Sequence, residues 1–185
     1  ARVEEPLGLG VDRPDTRFAL ELKDAGPSAE GTGFAVFDAA LASRGAIRGI
    51  AVPGAGAASR KQLDLWTAWS KDAGAKGLVW IKRDAGGVIL SSALKLLGES
   101  RCREIAQAVG ADEGDAALIV ADTREACDRA LGTLRLKIAA ELGLVPKDRW
   151  DLVWIERFPL FMRDADEDRW MAMHHPFTAP RWEDL

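Results

Sequence analysis

Cysteine and histidine are scarce in this chain, with two of each in 185 residues. A zinc site needs about four converging Cys, His or carboxylate ligands. Cys102, Cys127, His174 and His175 do not easily supply them. Cys102 and Cys127 each fall among core-spaced apolar residues of an expected helix, which reads as two buried free thiols in a reducing compartment. A basic surplus is also missing. Lys and Arg number 25 against 29 Asp and Glu, a formal net charge of −4. That balance argues against a free-standing DNA-binding domain, although a local basic patch passes the test. No apolar run approaches the roughly 18–20 residues of a membrane helix, and the apolar stretch of a signal peptide is lacking. What is there is a globular composition: 48% apolar, 29% charged and seven Trp. It excludes collagen-like, disordered and coiled-coil chains. The chain starts without an initiator Met and stops just after a dense aromatic and His run, which reads as an excised piece of a longer protein.

The order of elements points to an α+β fold. Residues 1–28 read as irregular, with weak strand-like alternation over Arg17–Leu22, and residues 25–33 read as a linker. Strands are expected at Phe34–Phe37, Ile47–Val52, Leu78–Lys82, Ala117–Ala121 and Leu152–Ile155. Ser59 with Gln62 forms a capping box that starts a helix to about Asp72, with Leu65, Trp66, Trp69 and Ala73 on one face. A short helix is expected over 91–97, a better one from Ser100 to Val109, and a long one capped at Asp122 or Thr123 and running to about Leu142. Cys127, Leu131, Leu134, Ile138 and Leu142 form the stripe of the last, with Arg135 and Lys137 elsewhere on the cylinder. Phe158–Met162, an acidic turn at 164–168 and Trp170–His175 read as an antiparallel hairpin. Strands and helices without regular βαβ units imply a mostly antiparallel sheet. The domain layout expected is a connecting segment at 1–28, a compact unit at 29–146 and a separate hairpin region at 147–185.

Several tempting motifs have plainer readings. Gly54-Ala55-Gly56 followed by Ser59-Arg60-Lys61 lacks the Gly-Lys-Ser/Thr order of a phosphate loop. The acidic run lacks the alternation, central Gly and distal Glu of a calcium loop. Trp66, Trp69, Trp80 and Trp154 sit in core patterns rather than as base-stacking platforms. The pair His174-His175 is different. Adjacent strand residues face opposite sides, so one imidazole can line a site while the other supports it. No Ser or Cys nucleophile is paired with them, and a hydrolase triad has no support.

Phe158-Pro159-Leu160-Phe161, an acidic turn and Met173-His174-His175-Pro176-Phe177-Thr178-Ala179-Pro180 closely resemble the bacterial type of aspartyl-tRNA synthetase, a class II family. Asp12-Arg13-Pro14-Asp15-Thr16-Arg17-Phe18 is similar to the segment leading into that family's insertion. Ser59-Arg60-Lys61-Gln62, Gly74–Leu78 and Ala130–Lys137 are similar to pieces of the insertion itself. The resemblance is collinear over nearly the whole chain and weakest over residues 1–11.

The resemblance implies that residues 29–146 are the α+β insertion shared with B- and E-type subunits of the tRNA-dependent amidotransferases, the GAD domain. Residues 147–185 would return to the class II catalytic sheet as a β-hairpin. The parent would be a cytoplasmic aspartate–tRNA ligase, an enzyme that activates L-aspartate with ATP and Mg²⁺ and esterifies tRNA, expected as a homodimer with no membrane association. His174 would contact the bound L-aspartate, with His175 as support. The family's ATP-clamping Arg stretch, its downstream Gly-rich motif and its anticodon-binding barrel are absent. The chain is therefore expected to carry no complete active site, to bind no cofactor or metal itself, and to be inactive alone. The alternative is a non-catalytic tRNA-contacting or scaffolding module, as in the amidotransferase subunits. Lys71, Lys76, Lys82 and Arg83 are the densest basic neighbourhood, read first as solvated surface and second as an acceptor-stem contact.

Overall fold

The computed structural model describes residues 2–4, 14–156, 161–164 and 167–172. Contacts divide the chain into a larger unit, residues 6–151, and a smaller one, residues 1–5 with 152–185.

In chain order the described elements begin with β1 (Arg2–Glu4), β2 (Lys23–Asp24), α1 (Gly26–Ala29), α2 (Ala35–Ala42) and β3 (Ala46–Val52). A short 3-10 turn (Ala55–Ala57), α3 (Arg60–Asp72), β4 (Val79–Arg83), β5 (Ile89–Ser91) and α4 (Leu94–Ala108) follow. Then come β6 (Ala116–Asp122), α5 (Arg124–Glu141), β7 (Trp154–Glu156), β8 (Phe161–Asp164) and β9 (Arg169–Ala172).

The larger unit is built on a five-stranded sheet in the order β2-β3-β6-β4-β5. Every neighbouring pair in it is antiparallel. β6 lies at its centre because it is apolar on both faces, which suits a strand covered by helices on either side. On one face Ile50, Val52, Leu118 and Val120 pack with Trp66 and Leu63 of α3 and with Cys127, Leu131, Leu134 and Ile138 of α5. On the other, Ile47, Ile81, Ala117 and Ile119 pack with Phe37 and Ala40 of α2 and Cys102 and Ile105 of α4. The fold is α+β, as the order of elements implies.

Several local expectations need correction. Phe34–Phe37 is not a strand: Phe34 precedes α2, and Ala35–Phe37 are its first turn. The alanines that follow favour helix, and Phe37 and Ala40, three residues apart, are the buried pair. The helices expected at 91–97 and from Ser100 are joined in α4 with a kink at Gly98, whose φ is 74°. Ile89–Ser91 is a strand pairing with β4. In α3 the buried residues are Leu63, Trp66 and Ser70, whereas Leu65 is 42% exposed. Arg17–Leu22 forms no strand.

In the smaller unit β1 pairs in parallel with β7, from Arg2↔Trp154 to Glu4↔Glu156. Residues 2–4 are thus a strand within the stretch read as irregular. β8 and β9 form the expected hairpin, with Phe161 opposite Ala172 and Asp164 opposite Arg169.

Candidate functional site

His174 and His175, the expected substrate contact and its support, lie outside the described residues, as do Asp12, Arg13 and Phe158–Leu160. What the structure places is the hairpin leading to them. Its register puts Phe161 and Trp170 on one face, where they are 55% and 68% exposed. Among the described residues no group of three or more His, Cys, Asp or Glu could hold a metal ion. No described helix is long and apolar enough to cross a membrane.

The other stretches that carry the resemblance have defined roles in the larger unit. Ser59 caps α3, its hydroxyl accepting from the Gln62 backbone N–H at 3.2 Å. The side chains of Gln62 and Trp66 then both donate to Glu141, at 3.1 Å and 2.6 Å. One carboxylate at the end of α5 therefore satisfies the indole N–H of a fully buried Trp and ties α3 to α5.

The stretch Gly74–Leu78 approaches the open end of β6. The β4 ladder stops at Val79↔Ile119, so Gly77 leaves the sheet where its next pairing, with Ala121, would fall. A groove of about 510 Å³ results, floored by Ile119 and Ala121 and walled by Ala35, Val36 and Ala39 of α2 and by Leu78. At its rim Lys76 Nζ donates to Asp122 Oδ1 at 2.9 Å, and the Thr123 N–H donates to the same oxygen at 2.8 Å. Burial by itself would raise the Asp122 carboxyl, but Lys76 and the Thr123 N–H outweigh it and hold the group below its ordinary value.

The basic neighbourhood is largely engaged. Besides Lys76, Lys82 donates to the Ala58 carbonyl at 2.7 Å. Arg83 is 5% exposed and donates to the Ala111 carbonyl at 2.9 Å. Three of the four cations thus already hold protein oxygens, and two of them, Lys76 and Arg83, face a carboxylate, Asp122 at 2.9 Å and Glu113 at 3.7 Å.

Arg135 is the residue that sequence reasoning missed. It is fully buried, not on the outer cylinder. Its Nε donates to the Leu20 carbonyl at 3.0 Å, and its Nη2 reaches the carbonyls of Asp15 and Ala19, each at 3.1 Å, and Phe18 at 3.4 Å. The guanidinium carbon also lies 4.3 Å from the centre of the Phe18 ring. Burial lowers its pKa to about 10, against which Asp15 and Glu21 act in the opposite sense. A signal existed: Leu131, Leu134, Arg135 and Ile138 sit at i, i+3, i+4 and i+7, so Arg135 completes the apolar stripe.

The GAD domain family matches residues 37–131. An aspartate–tRNA(Asp/Asn) ligase of Persephonella marina is 39% identical over 176 residues, 95% of this chain and 29% of the relative. The corresponding ligase of Caldanaerobacter subterraneus is 42% identical over 177 residues, 96% of this chain and 30% of the relative. An aspartate–tRNA ligase of Lactiplantibacillus plantarum is 42% identical over 178 residues, 96% of this chain and 30% of the relative. The chain spans about 30% of the length of the curated relatives it matches.

Proposed function

Because the chain belongs to the GAD domain family, we propose that it is the inserted domain of an aspartate–tRNA ligase together with the adjoining parts of the catalytic domain. The observation that carries this reading is the extent of the similarity. The ligases align over 95–96% of the chain, well outside the 37–131 that the domain family covers. A scaffolding module of the amidotransferase type gives no role to the hairpin β8–β9. In this reading residues 1–28 arrive from the catalytic domain, 29–146 are the insertion and 147–185 return to the catalytic sheet.

The intact enzyme would join L-aspartate to tRNA in two steps. A carboxylate oxygen of aspartate attacks the α-phosphorus of ATP, and pyrophosphate leaves to give aspartyl-adenylate. A hydroxyl at the 3′ end of tRNA then attacks the activated carbonyl, and AMP leaves. Such chemistry depends on positioning and charge stabilisation. His174 would donate a hydrogen bond to a carboxylate of aspartate, more strongly when protonated, and His175 would support it. Mg²⁺ would accompany ATP in the parent. The described residues offer no ligand set for it, and no step here depends on it. The parent would be a cytoplasmic homodimer.

Two measurements test this. In the full-length enzyme, His174→Ala should raise the aspartate KM or lower kcat for adenylate formation while thermal unfolding changes little. Unchanged KM and kcat would remove the contact assignment. The chain by itself should catalyse no aspartate-dependent exchange of pyrophosphate into ATP, and measurable exchange would show that its active site is complete.

A further inference from the structure

Residues 14–22 belong to no helix or strand, yet Phe18, Leu20 and Leu22 are 9%, 3% and 4% exposed. They pack into the core layer that also contains Ile50, Leu131 and Leu134. A buried segment outside secondary structure must find partners for its carbonyls. Here two arginines supply several of them, Nη2 of Arg48 donating to the Leu22 carbonyl at 3.1 Å. Arg135 takes the carbonyls of Asp15, Phe18, Ala19 and Leu20. Leu20 has φ 73°, a left-handed conformation costly for a residue with a side chain. That turn brings three consecutive carbonyls onto one guanidinium. The segment is also fastened at its beginning. Asp15 and Arg17 pair at 2.7 Å, and the Thr16 hydroxyl donates to Asp151 Oδ2 at 3.4 Å. The chain that arrives at the larger unit is thereby tied to the chain that leaves it.

We infer that residues 14–22 are a strap that opens independently of the five-stranded sheet, with the Arg135 guanidinium as its latch. Proteins open in local units whose free energies range from near zero up to that of global unfolding, so a segment outside the ladder can open without the sheet. The strap packs its apolar side chains on the sheet and takes one bond from Arg48 of β3 at the Leu22 carbonyl, but ladder pairing begins only at the two residues of β2 that follow it. The four carbonyl bonds over residues 15–20 converge on the Arg135 guanidinium, so they are made and lost together rather than one at a time. Opening would bare Phe18, Leu20 and Leu22 and uncouple the arriving chain from α5. It is a conformational switch between two ends held together and two ends released.

Limited thermolysin digestion of this chain, with cleavage sites located by mass, tests the latch. Cleavage of a transiently opened segment reports its open population. Arg135→Met should raise the cleavage rate within residues 17–22 by about tenfold or more. Cleavage within β3 and β6 should stay near the wild-type rate, and urea unfolding should remain one transition. Arg135→Lys, which keeps the charge without the planar fork, should fall between Arg135→Met and wild type. Unchanged cleavage in the strap would overturn the inference. So would a parallel rise in β3 and β6. If neither variant folds, the guanidinium is part of the core and no separable strap exists, which also overturns it.

Discussion

Cys127 shows how little a residue type says until its surroundings are known. Both cysteines are free and buried, and Cys127 lies on the inner face of α5 among Leu118, Val120 and Leu131. Burial pushes its thiol up to about 11, and burial likewise raises Cys102. The thiolate is the reactive form. A disulfide-exchange reagent at pH 8 should therefore release almost no colour from the native chain and two equivalents after denaturation. Prompt release of either equivalent from the folded protein would contradict the burial. Gly56 makes a second residue-scale test. A Cβ there would collide with the Arg83 carbonyl oxygen and the backbone of Gly114, where neither neighbour is a flexible side chain. Gly56→Ala should destabilise by about 1–3 kcal/mol, as overpacking does, seen as a lower urea midpoint at unchanged slope. A midpoint equal to wild type would mean that the loop can shift.

Elements were legible where local chemistry and burial agreed. Thr123 caps α5 by accepting from the Ala126 N–H at 3.2 Å, and Ser59 does the same for α3. These side-chain caps stand at two of the helix starts read from sequence. The residues before α2 and α4, Phe34 and Ala93, give no side-chain cap; the start of α2 reads as a strand in the sequence, and α4 reads as two helices. Thr123→Ala should cost about 1 kcal/mol of stability and Thr123→Ser much less, measured as paired thermal melts. Equal melting of both variants would remove the cap from the account. Pairings between distant residues were less legible. Nothing local in Arg2–Glu4 announces a parallel partner at Trp154–Glu156, because the pairing is decided across the chain rather than within it. Arg135 was missed for a related reason. Its place on the stripe signals burial, but its partners are the carbonyls of residues 15, 18, 19 and 20, and backbone acceptors leave no mark in a sequence pattern.

At the scale of the whole molecule the balance of 25 cations against 29 anions tells less than their pairing. Asp15, Asp122 and Asp151 are all held below the ordinary carboxylate value. For Asp15 the leading cause is the hydrogen bond from Arg17, and for Asp151 the one from Arg149. A carboxyl with a lower pKa in the folded than in the unfolded state stabilises the fold above its unfolded value of about 3.9. That contribution is lost as pH falls through the folded value. Arg17 and Asp15 remain 34% and 20% exposed, so solvent screens such pairs and each contributes little. Their sum should appear as a gradual slope rather than a step. The urea midpoint should therefore show almost no loss linked to these carboxyls from pH 7 down to about 5 and should fall continuously below that. Asp122→Asn should remove part of the slope, because it deletes the carboxylate that Lys76 and Thr123 hold. A midpoint that rose on acidification below pH 4 would require carboxyls whose folded pKa is raised, the reverse of the arrangement found around these three aspartates.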